Sequence, residues 1–583
     1  MIDKDTLKSE EEIIFNLPIS YLSDKQSIAE HIKTDLELIG EKSLYETVFQ
    51  PTTTFGKQTI PLWSHHYTAN KDFIKDSQFL LKNVSSANVA QVEAASHIED
   101  VTAIWKDIKE ETGFVEKYHY MDWKRFKEFN NNSSFLQLLS LYNMTSPIIF
   151  FAIPILFLIL PFILLKIQGI PISLSKYFEV LKVVFKQHQL GQIFTIGSAT
   201  WDKMIYIIAS LGFYILQIYQ NVTSCVKYYH NMKKIHLHLF TMREYAKNTL
   251  QNMELLNSLC SGLKTYQPFL ADMEEHKEVL IGMEKEFNKI EPNDFSLKKI
   301  KQIGHVMKCF YQLYNKTEYH QTLEYSFGLN GYLDNLRGLG KRLREKQVNP
   351  CKIVSNNKNN KVKFIDAYFP TLVDSNPVKN SYTLDKHIII SGPNAAGKTT
   401  LLKTTIFNII LSQQTGVGFY KKAKIDFYDH IHCYINIPDT SERDSLFQAE
   451  ARRCKDIIDI IDNVSIESNK NNINKERHLC VFDELYSGTN PYEAVGSAYA
   501  FLSYLNKYSN VNFVLTTHYL DLCKRLDKQP HINNYHMDVE ERNDDLIYTY
   551  KLKKNISTIK GGVKVLKDLN YPKEIIDNSH YTF

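Results

Sequence analysis

The chain has 583 residues, of which 44% are hydrophobic, and its formal net charge is only +4. A chain of this length is too long for one hydrophobic core, so we expect a large domain and a substantial second body. The near balance of charges excludes a polycationic surface, and any contact with DNA must therefore be local. The eight cysteines are scattered without a close pair. We therefore expect no zinc site and no disulfide framework, and soluble parts that face a reducing compartment.

Two apolar stretches in the first half of the chain predict contact with a membrane. Residues 147–165 read PIIFFAIPILFLILPFILL, without one polar side chain, and such a helix spans the roughly 30 Å of bilayer hydrocarbon. A buried core helix is the alternative, but Pro154 and Pro161 are better tolerated in a transmembrane helix than in a soluble one. Residues 204–219 are shorter and include polar side chains. For them a return span, an interfacial helix and a packed core helix all remain open.

The number of spans decides the topology. Two spans form a hairpin with both soluble parts on one side, whereas a single span separates the residues before 147 from the rest of the chain. Lysines flank both stretches, so the charge bias that orients membrane proteins does not discriminate between the two topologies. The N-terminal sequence carries early acids and no apolar core, so no secretory signal peptide is expected. We expect an integral membrane protein whose C-terminal domain lies on the cytosolic, reducing side.

A helical region and then an α/β region follow. Between about residues 228 and 347, apolar residues such as Leu239, Met242 and Ala246 recur at three-to-four spacing, which predicts long helices packed along one face. The polar stretch 355–361 marks the next boundary. After it, the apolar runs VKFIDAYF, HIII, HLCVF and VNFVLTT alternate with helical segments. This alternation predicts an α/β sheet.

A phosphate-binding motif follows the second of these apolar runs. The sequence SGPNAAGKTT comes directly after residues 388–390 and before a helical segment, which is the order of a phosphate loop between a strand and a helix. Backbone N–H groups of such a loop close on phosphates. Lys398 then supplies a positive charge to the β- and γ-phosphates, and the Thr399 hydroxyl is a ligand for Mg²⁺.

Acidic residues and a histidine follow two further apolar runs. Residues 479–482 lead to Asp483 and Glu484, one acid to hold Mg²⁺ and one to orient an attacking water. Phosphoryl transfer needs little beyond such positioning, although an Asp–Glu pair alone also caps helices. Residues 513–516 lead to His518, at the strand end where ligands of open α/β sheets bind. Taken alone, His518 is more often a surface or core residue.

Together the three motifs resemble those of the MutS family. The phosphate loop SGPNAAGKTTLLKT, the acidic segment FDELYSGTNPYEAVGSAYA and the histidine segment LTTHYLDL are similar to that family's ATPase motifs and stand in the same order. The segment YKLKKNISTIKGGVKVLKDLNYPKEII is similar to the end of the family's ATPase domain. The resemblance implies an α/β ABC-type P-loop ATPase domain at the C-terminus, which hydrolyses ATP to ADP and phosphate with Mg²⁺.

Positions carried over from the family imply the roles of individual residues. The implied ATP-binding residues are Gly392, Pro393, Asn394, Ala395, Ala396, Gly397, Lys398, Thr399 and Thr400. Thr399 and Asp483 are implied to hold Mg²⁺, and Glu484 and His518 to be catalytic. Ser445, in the segment DSLFQAE, resembles the serine that reaches the γ-phosphate of the partner's site. The resemblance therefore implies a homodimer formed through the ATPase domains, in which each active site contains residues of both chains. Ser445 is then a catalytic residue of the partner's site.

The resemblance also predicts the domain organisation. Residues 43–81 resemble the start of the MutS lever domain, which predicts an N-terminal segment 1–43 and a largely α-helical lever-like domain 44–350. The stretches 147–165 and 204–219 interrupt this domain, and the ATPase domain follows at 351–583. The family's N-terminal mismatch-reading domain is expected to be missing. The adenine-stacking residue is not identified, because Val378 stands where the family usually has an aromatic residue.

Two functions remain open. The first is a membrane-anchored, MutS-like ATPase that dimerises on ATP and clamps or tethers DNA in mismatch repair or genome maintenance. The second is an ATP-driven membrane-associated scaffold that has lost mismatch recognition, which the modest net charge and the missing reading domain favour.

Overall fold

The computed structural model describes most of the chain. The described residues are 14–41, 43–86, 94–169, 173–187, 201–291, 301–354, 362–435, 445–471, 476–542, 545–557, 559, 566–567 and 569–579. The predicted linker 355–361 lies outside them.

Long helices dominate the first part of the chain and strands the last part. The helices, in chain order, are α1 (Glu30–Asp35), α2 (Leu44–Phe49), α3 (Thr54–Trp63), α4 (Lys71–Ser86), α5 (Ala94–Lys109), α6 (Phe114–Lys117), α7 (Ser133–Ile167), α8 (Leu174–Gln187), α9 (Trp201–Cys260), α10 (Gln267–Phe287), α11 (Ile303–Asn315), α12 (Thr317–Arg344), α13 (Lys398–Thr415), α14 (Leu446–Asn471), α15 (Pro491–Leu505), α16 (Leu520–Leu526) and α17 (Lys573–Ser579). The strands are β1 (Lys25–Ser27), β2 (His66–Thr68), β3 (Asn349–Ile353), β4 (Val362–Ala367), β5 (Asn380–Leu384), β6 (His387–Ser391), β7 (Val417–Gly418), β8 (Lys422–Ile425), β9 (His430–Tyr434), β10 (His478–Asp483), β11 (Val511–Thr517), β12 (Ile532–Arg542) and β13 (Asp545–Lys554).

The chain packs into two compact units that are discontinuous in sequence. Unit 1 consists of Met1–Val92, Gln251–His276 and Glu324–Phe583, and unit 2 consists of Glu93–Leu250 and Lys277–Leu323. These bounds differ from the predicted domain boundaries at residues 43 and 350, because the beginning and the end of the chain pack into the same unit. The assignment of residues 44–350 to a lever-like domain stays a prediction.

A six-stranded sheet organises unit 1. Its strand order is β13-β12-β6-β11-β10-β9, in which β12 and β13 pair antiparallel and the other neighbours pair parallel. The apolar strands β6, β10 and β11 are almost entirely buried, as expected of parallel strands covered on both faces. The predicted strand β4 also exists, but it belongs to a separate five-stranded sheet of order β5-β4-β8-β3-β7.

Two buried glutamines at the end of α13 form hydrogen bonds with residues 45–68 of unit 1. Gln414 accepts a hydrogen bond from the Tyr45 hydroxyl (2.9 Å) and donates to the carbonyl oxygens of Trp63 (2.6 Å) and His66 (2.8 Å). The neighbouring Gln413 donates to the carbonyl oxygen of Thr68 (3.1 Å). Because buried polar groups are costly unless paired, these bonds require both partners to fold together.

In unit 2, the first turns of α7 pack closely on α11. Gly304 lies so near the backbone of Ser133 and Gln137 that any Cβ at this position would overlap them. Its N–H donates a 2.9 Å hydrogen bond to Gln137 Oε1. The N-terminal part of α7 is therefore part of the packed body of this unit.

The remainder of α7 carries the predicted span 147–165. The helix is continuous from Ser133 to Ile167 and contains both prolines. Several side chains of 147–165 lie outside the described residues, but those of Ile148, Leu156 and Leu160 are at least half exposed. The predicted stretch 204–219 is not a separate element, because it forms part of α9, which continues without a break to Cys260.

By length and composition, one helical stretch among the described residues, Met204–Cys260, is apolar enough to cross a membrane, and its most apolar part is not buried. Two contacts bring α9 and α7 together. The rings of Phe150 and Tyr214 lie 5.5 Å apart, and the Cys225 thiol lies 3.4 Å from the carbonyl oxygen of Met144. Because residue number rises along one helix as it falls along the other, the two helices are antiparallel.

We expect Gln414→Met to destabilise unit 1 by about 3 kcal/mol, because the substitution keeps the side-chain volume but removes the three buried hydrogen bonds that Gln414 makes. The measurement is the midpoint of chemical unfolding of the full chain in detergent. Gln251→Met, at an exposed position in the same unit, is the matched control and should leave the midpoint unchanged. Equal midpoints for both variants would contradict the argument.

Candidate functional site

The loop between β6 and α13 has the backbone of a phosphate-binding loop. It covers residues 392–397, and α13 begins at Lys398 with Gly397 at its N-cap. Gly397 has a φ of 91°, which a residue with a side chain rarely adopts. Ala395 also has a positive φ, 63°, so the loop curls and directs N–H groups toward one point, as in anion-binding loops.

Lys398 is held at the centre of this loop. Its ammonium group donates hydrogen bonds to the carbonyl oxygens of Gly392 (3.0 Å) and Pro393 (3.1 Å), and it lies 3.5 Å from Asn394 Oδ1. It also lies 3.6 Å from Glu484 Oε1. The side chain is only 5% exposed, but these oxygen atoms compensate its buried charge. Because Lys398 also lines the cavity of the site, its ammonium group can bind a phosphate that enters the loop.

The first acid after β10 contacts the first turn of α13. The Thr399 hydroxyl donates a 2.7 Å hydrogen bond to Asp483 Oδ2, and the Thr516 hydroxyl donates to Asp483 Oδ1. The register of β10 and β11 aligns Asp483 with Thr516, which fixes the carboxylate from the neighbouring strand. A hydroxyl and a carboxylate are oxygen ligands of the kind that Mg²⁺ prefers, so Thr399 and Asp483 fit a magnesium site.

The second acid, Glu484, lies between the loop lysine and the histidine. Its Oε1 is 3.5 Å from His518 Nδ1 and 3.6 Å from Lys398 Nζ, and its N–H donates to the Thr516 carbonyl oxygen. The hydrogen bond with His518 lowers the pKa of Glu484, the charges of His518 and Lys398 lower it further, and partial burial opposes them. The carboxylate is therefore kept ionised and able to accept a proton or orient a water molecule.

The backbone at Glu484 is itself unusual. Glu484 and Tyr486 have φ values of 50° and 60°, a left-handed conformation that is uncommon for residues with side chains and is often found at functional sites. The turn directs the Glu484 side chain back toward the phosphate loop instead of along the strand. No sequence motif indicated this conformation.

An open cavity of roughly 870 Å³ adjoins these groups. Of the residues predicted to bind nucleotide and metal, those that line it are Asn394, Ala395, Gly397, Lys398, Thr399, Thr400, Asp483 and Glu484. Gly392, Pro393, Ala396 and His518 do not line it. Val378 also lines the cavity, together with Phe369 and Tyr550, which sequence reasoning missed. Either ring is a candidate for contact with a base. Tyr550 begins the segment that resembles the end of the family's ATPase domain, but nothing in that resemblance assigned its ring to the cavity.

Ser445 does not line this cavity. Instead it caps the N-terminus of α14: its hydroxyl accepts from Gln448 N–H (3.3 Å), and Gln448 Oε1 accepts from Ser445 N–H (2.9 Å). This reciprocal pair is a capping box. The serine is exposed at a helix N-terminus, a position that favours contact with an anion.

One other group of potential metal ligands comes together within the described residues, in unit 2. His305 Nε2 lies 3.5 Å from Cys309 Sγ and 3.9 Å from Glu286 Oε2. Sequence spacing had suggested no zinc site, and the three residues lie on two helices that only tertiary packing brings together. The same His305 nitrogen lies 3.0 Å from the Glu286 carbonyl oxygen, which fits a histidine that caps the end of α10.

The parallel sheet, the curled loop before α13 and the two acids define a P-loop α/β domain. Residues 388–582 match the family model described as MutS domain V. Over this region the chain is similar to proteins of the MutS family.

Several curated relatives bear the name DNA mismatch repair protein MutS. The protein of Bacteroides fragilis is 30% identical over 196 residues, which are 33% of this chain and 21% of that protein. That of Persephonella marina is 27% identical over 221 residues, or 37% and 24%. That of Parabacteroides distasonis is 28% identical over 280 residues, or 45% and 30%. The chain thus spans less than a third of the length of these relatives.

Proposed function

We propose that this chain is a membrane-anchored, MutS-like ATPase that dimerises with ATP bound and clamps or tethers DNA in mismatch repair or genome maintenance. One observation carries the proposal: Thr399 contacts Asp483 while Lys398 and His518 both contact Glu484. All three motif segments therefore meet at one edge of the sheet. Such a set suits phosphoryl transfer, which depends on charge neutralisation and the positioning of a water molecule.

Each residue takes a role that its contacts support. Lys398 and the N–H groups of the loop bind the phosphates of ATP. Thr399 and Asp483 hold Mg²⁺, which when bound neutralises charge on the phosphates. Glu484, kept ionised, orients the attacking water, and His518, beside Glu484, acts on the γ-phosphate. Phe369 or Tyr550 contacts the base in place of the missing aromatic residue at position 378.

The active form proposed here is a homodimer. Ser445 is exposed at the N-terminus of α14 and does not line the cavity of its own chain, so its hydroxyl is free to approach the γ-phosphate in a partner's site. The helix N-terminus adds a favourable partial charge to that contact. Each of the two sites is then completed by the other chain.

The membrane anchor proposed here is the hairpin of α7 and α9. Between Glu128 and Lys166, and again between Lys203 and Lys227, the chain has no Asp, Glu, Lys or Arg. Many of the apolar side chains that the structure describes in both stretches are exposed, which is costly in water at about 25 cal/mol per Å². Since the helices are antiparallel, the chain before residue 147 and the chain after residue 219 emerge on the same side of the membrane, in agreement with a cytosolic ATPase.

We expect Lys398→Ala to weaken ATP binding by about tenfold or more, because the phosphates lose their main cation. Glu484→Gln should bind ATP normally and lower turnover by about a hundredfold or more, because only the group that orients water is lost. Calorimetry and phosphate release measure the two effects. Lys403→Ala on the same helix and the exposed Glu493→Gln are the controls. Wild-type turnover in Glu484→Gln, or unchanged affinity in Lys398→Ala, would refute these roles.

We expect the full chain to resist extraction by alkaline carbonate and to require detergent. A variant in which a flexible linker replaces residues 147–222 should be soluble and still bind ATP, because the Met144 carbonyl and the Cys225 thiol already lie close together and the linker can join the two helices. Fractionation followed by ATP binding is the measurement. Release of the full chain by carbonate would contradict the anchor, and membrane retention of the variant would locate the anchor elsewhere.

The proposed DNA role is tested by binding of the full chain to duplex DNA, with and without a mismatch, at increasing salt. Phosphate contacts release counterions, so affinity should fall steeply with salt. The Glu484→Gln variant with ATP should bind more tightly than Lys398→Ala, since only the former accumulates the ATP-bound dimer. ATP-dependent dimerisation without salt-dependent DNA binding would instead favour the membrane-associated scaffold, which the modest net charge supports.

A further inference from the structure

The loop that follows β10 is packed on the beginning of α14. We call residues 484–488 the acid loop, since it starts with Glu484. The ring of Tyr486 lies 5.5 Å from that of Phe447 in the first turn of α14. Gly488 approaches the same turn so closely that a Cβ would lie 2.7 Å from Phe447 N and 2.8 Å from Leu446 Cγ. The acid loop and the Ser445 end of α14 therefore form one packed element.

A buried carboxylate fastens this element. Glu450, one turn into α14, is 2% exposed. Its Oε1 accepts hydrogen bonds from the N–H and the hydroxyl of Ser487, both 3.0 Å, and its Oε2 accepts from Gly488 N–H at 3.2 Å. Such charge-assisted bonds are roughly twice as strong as neutral ones. A carboxylate is buried at considerable cost unless it is well paired, and here it is paired with the acid loop and with the Tyr434 side chain on β9.

The two ends that Glu450 joins have different proposed partners. Glu484, at one end, acts on the ATP of its own chain, whereas Ser445, at the other end, approaches the ATP of the partner. The two residues flank the same packed element, Ser445 at the helix N-terminus and Glu484 at the start of the acid loop. A change in the position of α14 when Ser445 meets a phosphate must therefore move or restrain the acid loop, because close-packed elements transmit displacement.

We propose that Glu450 is a positioning residue that couples the two composite ATP sites: it ties the placement of Ser445 in the partner's site to the placement of Glu484 in its own. This inference rests on the proposed dimeric ATPase. Each chain then reaches its hydrolytic geometry only when its α14 is seated on the partner's nucleotide. Glu450 touches neither nucleotide nor metal and acts through the acid loop.

The chemistry of the contact defines the variant to use. In Glu450→Gln, the amide group replaces one of two oxygens that both accept hydrogen bonds from N–H groups. Its NH₂ must face either Ser487 N–H or Gly488 N–H, and two donors cannot pair. Size is retained, so the packing of α14 is preserved while the connection to the acid loop is weakened. Gly488→Ala perturbs the same contact from the other side, by displacing the first turn of α14.

The experiment measures ATP affinity, kcat and the unfolding midpoint of the full chain in detergent for both variants. We expect kcat to fall on the order of tenfold to a hundredfold, as small misplacements of catalytic groups do, with ATP affinity near wild type and the midpoint lowered, because each variant disturbs a buried contact. Asp456→Asn, at an exposed position on the same helix, is the control. A loss of ATP affinity in parallel with kcat in both variants would overturn the proposal in favour of a purely structural role.

Mixed dimers supply the readout that is specific for coupling. A differently tagged chain, either wild type or Glu450→Gln, is paired with Glu484→Gln, which holds ATP without turning it over, or with Lys398→Ala, which binds ATP weakly, so that turnover comes from the tagged chain. We expect the wild-type tagged chain to have the higher kcat when its partner is Glu484→Gln, because its α14 is then seated on the partner's nucleotide, and we expect the Glu450→Gln tagged chain to lose this response. An equal response in both tagged chains overturns the coupling alone. A wild-type homodimer without ATP turnover would instead reject the proposed function, and the inference with it.

Discussion

The parallel register of β6, β10 and β11 is the constraint on which the candidate site depends. Thr517 pairs with Ser391 at the end of β6, and Thr516 pairs with Asp483 at the end of β10. Because parallel strands end at the same edge, three segments far apart in sequence deliver their polar residues to one place. A slip of one residue would turn Asp483 to the other face of the sheet and separate it from Thr399.

Buried hydrogen bonds connect the candidate site to the rest of unit 1. The helix that begins with Lys398 carries Gln413 and Gln414 in its last turn, and these bond to the carbonyl groups of Thr68 and Trp63. On the other side of the site, Glu450 binds the acid loop. Hydrogen bonds among buried groups are directional and costly to break, so they fix relative positions more sharply than apolar packing does. The phosphate loop is thus supported at its far end, and the acids are supported from α14.

The apolar halves of α7 and α9 differ from the sheet in the exposure of their side chains. In unit 1 the apolar strands of the sheet are buried, whereas in unit 2 side chains such as Leu156 and Ile208 remain exposed on the helices. The same residue types are thus covered in one unit and uncovered in the other. In the proposed anchor, lipid covers these side chains. Lipid tails are apolar like the side chains, and a helix pairs its own backbone N–H and C=O groups, so neither is exposed to an unsuitable solvent.

Much of the site could be predicted from the sequence because its residues stand in local motifs. The strand-loop-helix order around Lys398 and the acids after an apolar run depend on a few adjacent residues, and the four predicted strands are present. The Thr399 contact with Asp483, the left-handed turn at Glu484 and the cavity residues Phe369 and Tyr550 could not be predicted in this way. They depend on which strands become neighbours.

The sequence by itself thus determined the α/β character of the C-terminal region, the phosphate loop and the two apolar stretches, since composition and short-range spacing suffice for these. Tertiary structure alone decided that residues 14–86 share a unit with the sheet, that 204–219 continues as one helix to Cys260, and that Glu450 meets the acid loop. The shared unit and the Glu450 contact join residues that are distant in the chain, and the helix continues well beyond the apolar stretch that predicted it. The physical reason is that burial and hydrogen-bond pairing between distant segments are properties of the packed molecule, and no local pattern encodes them.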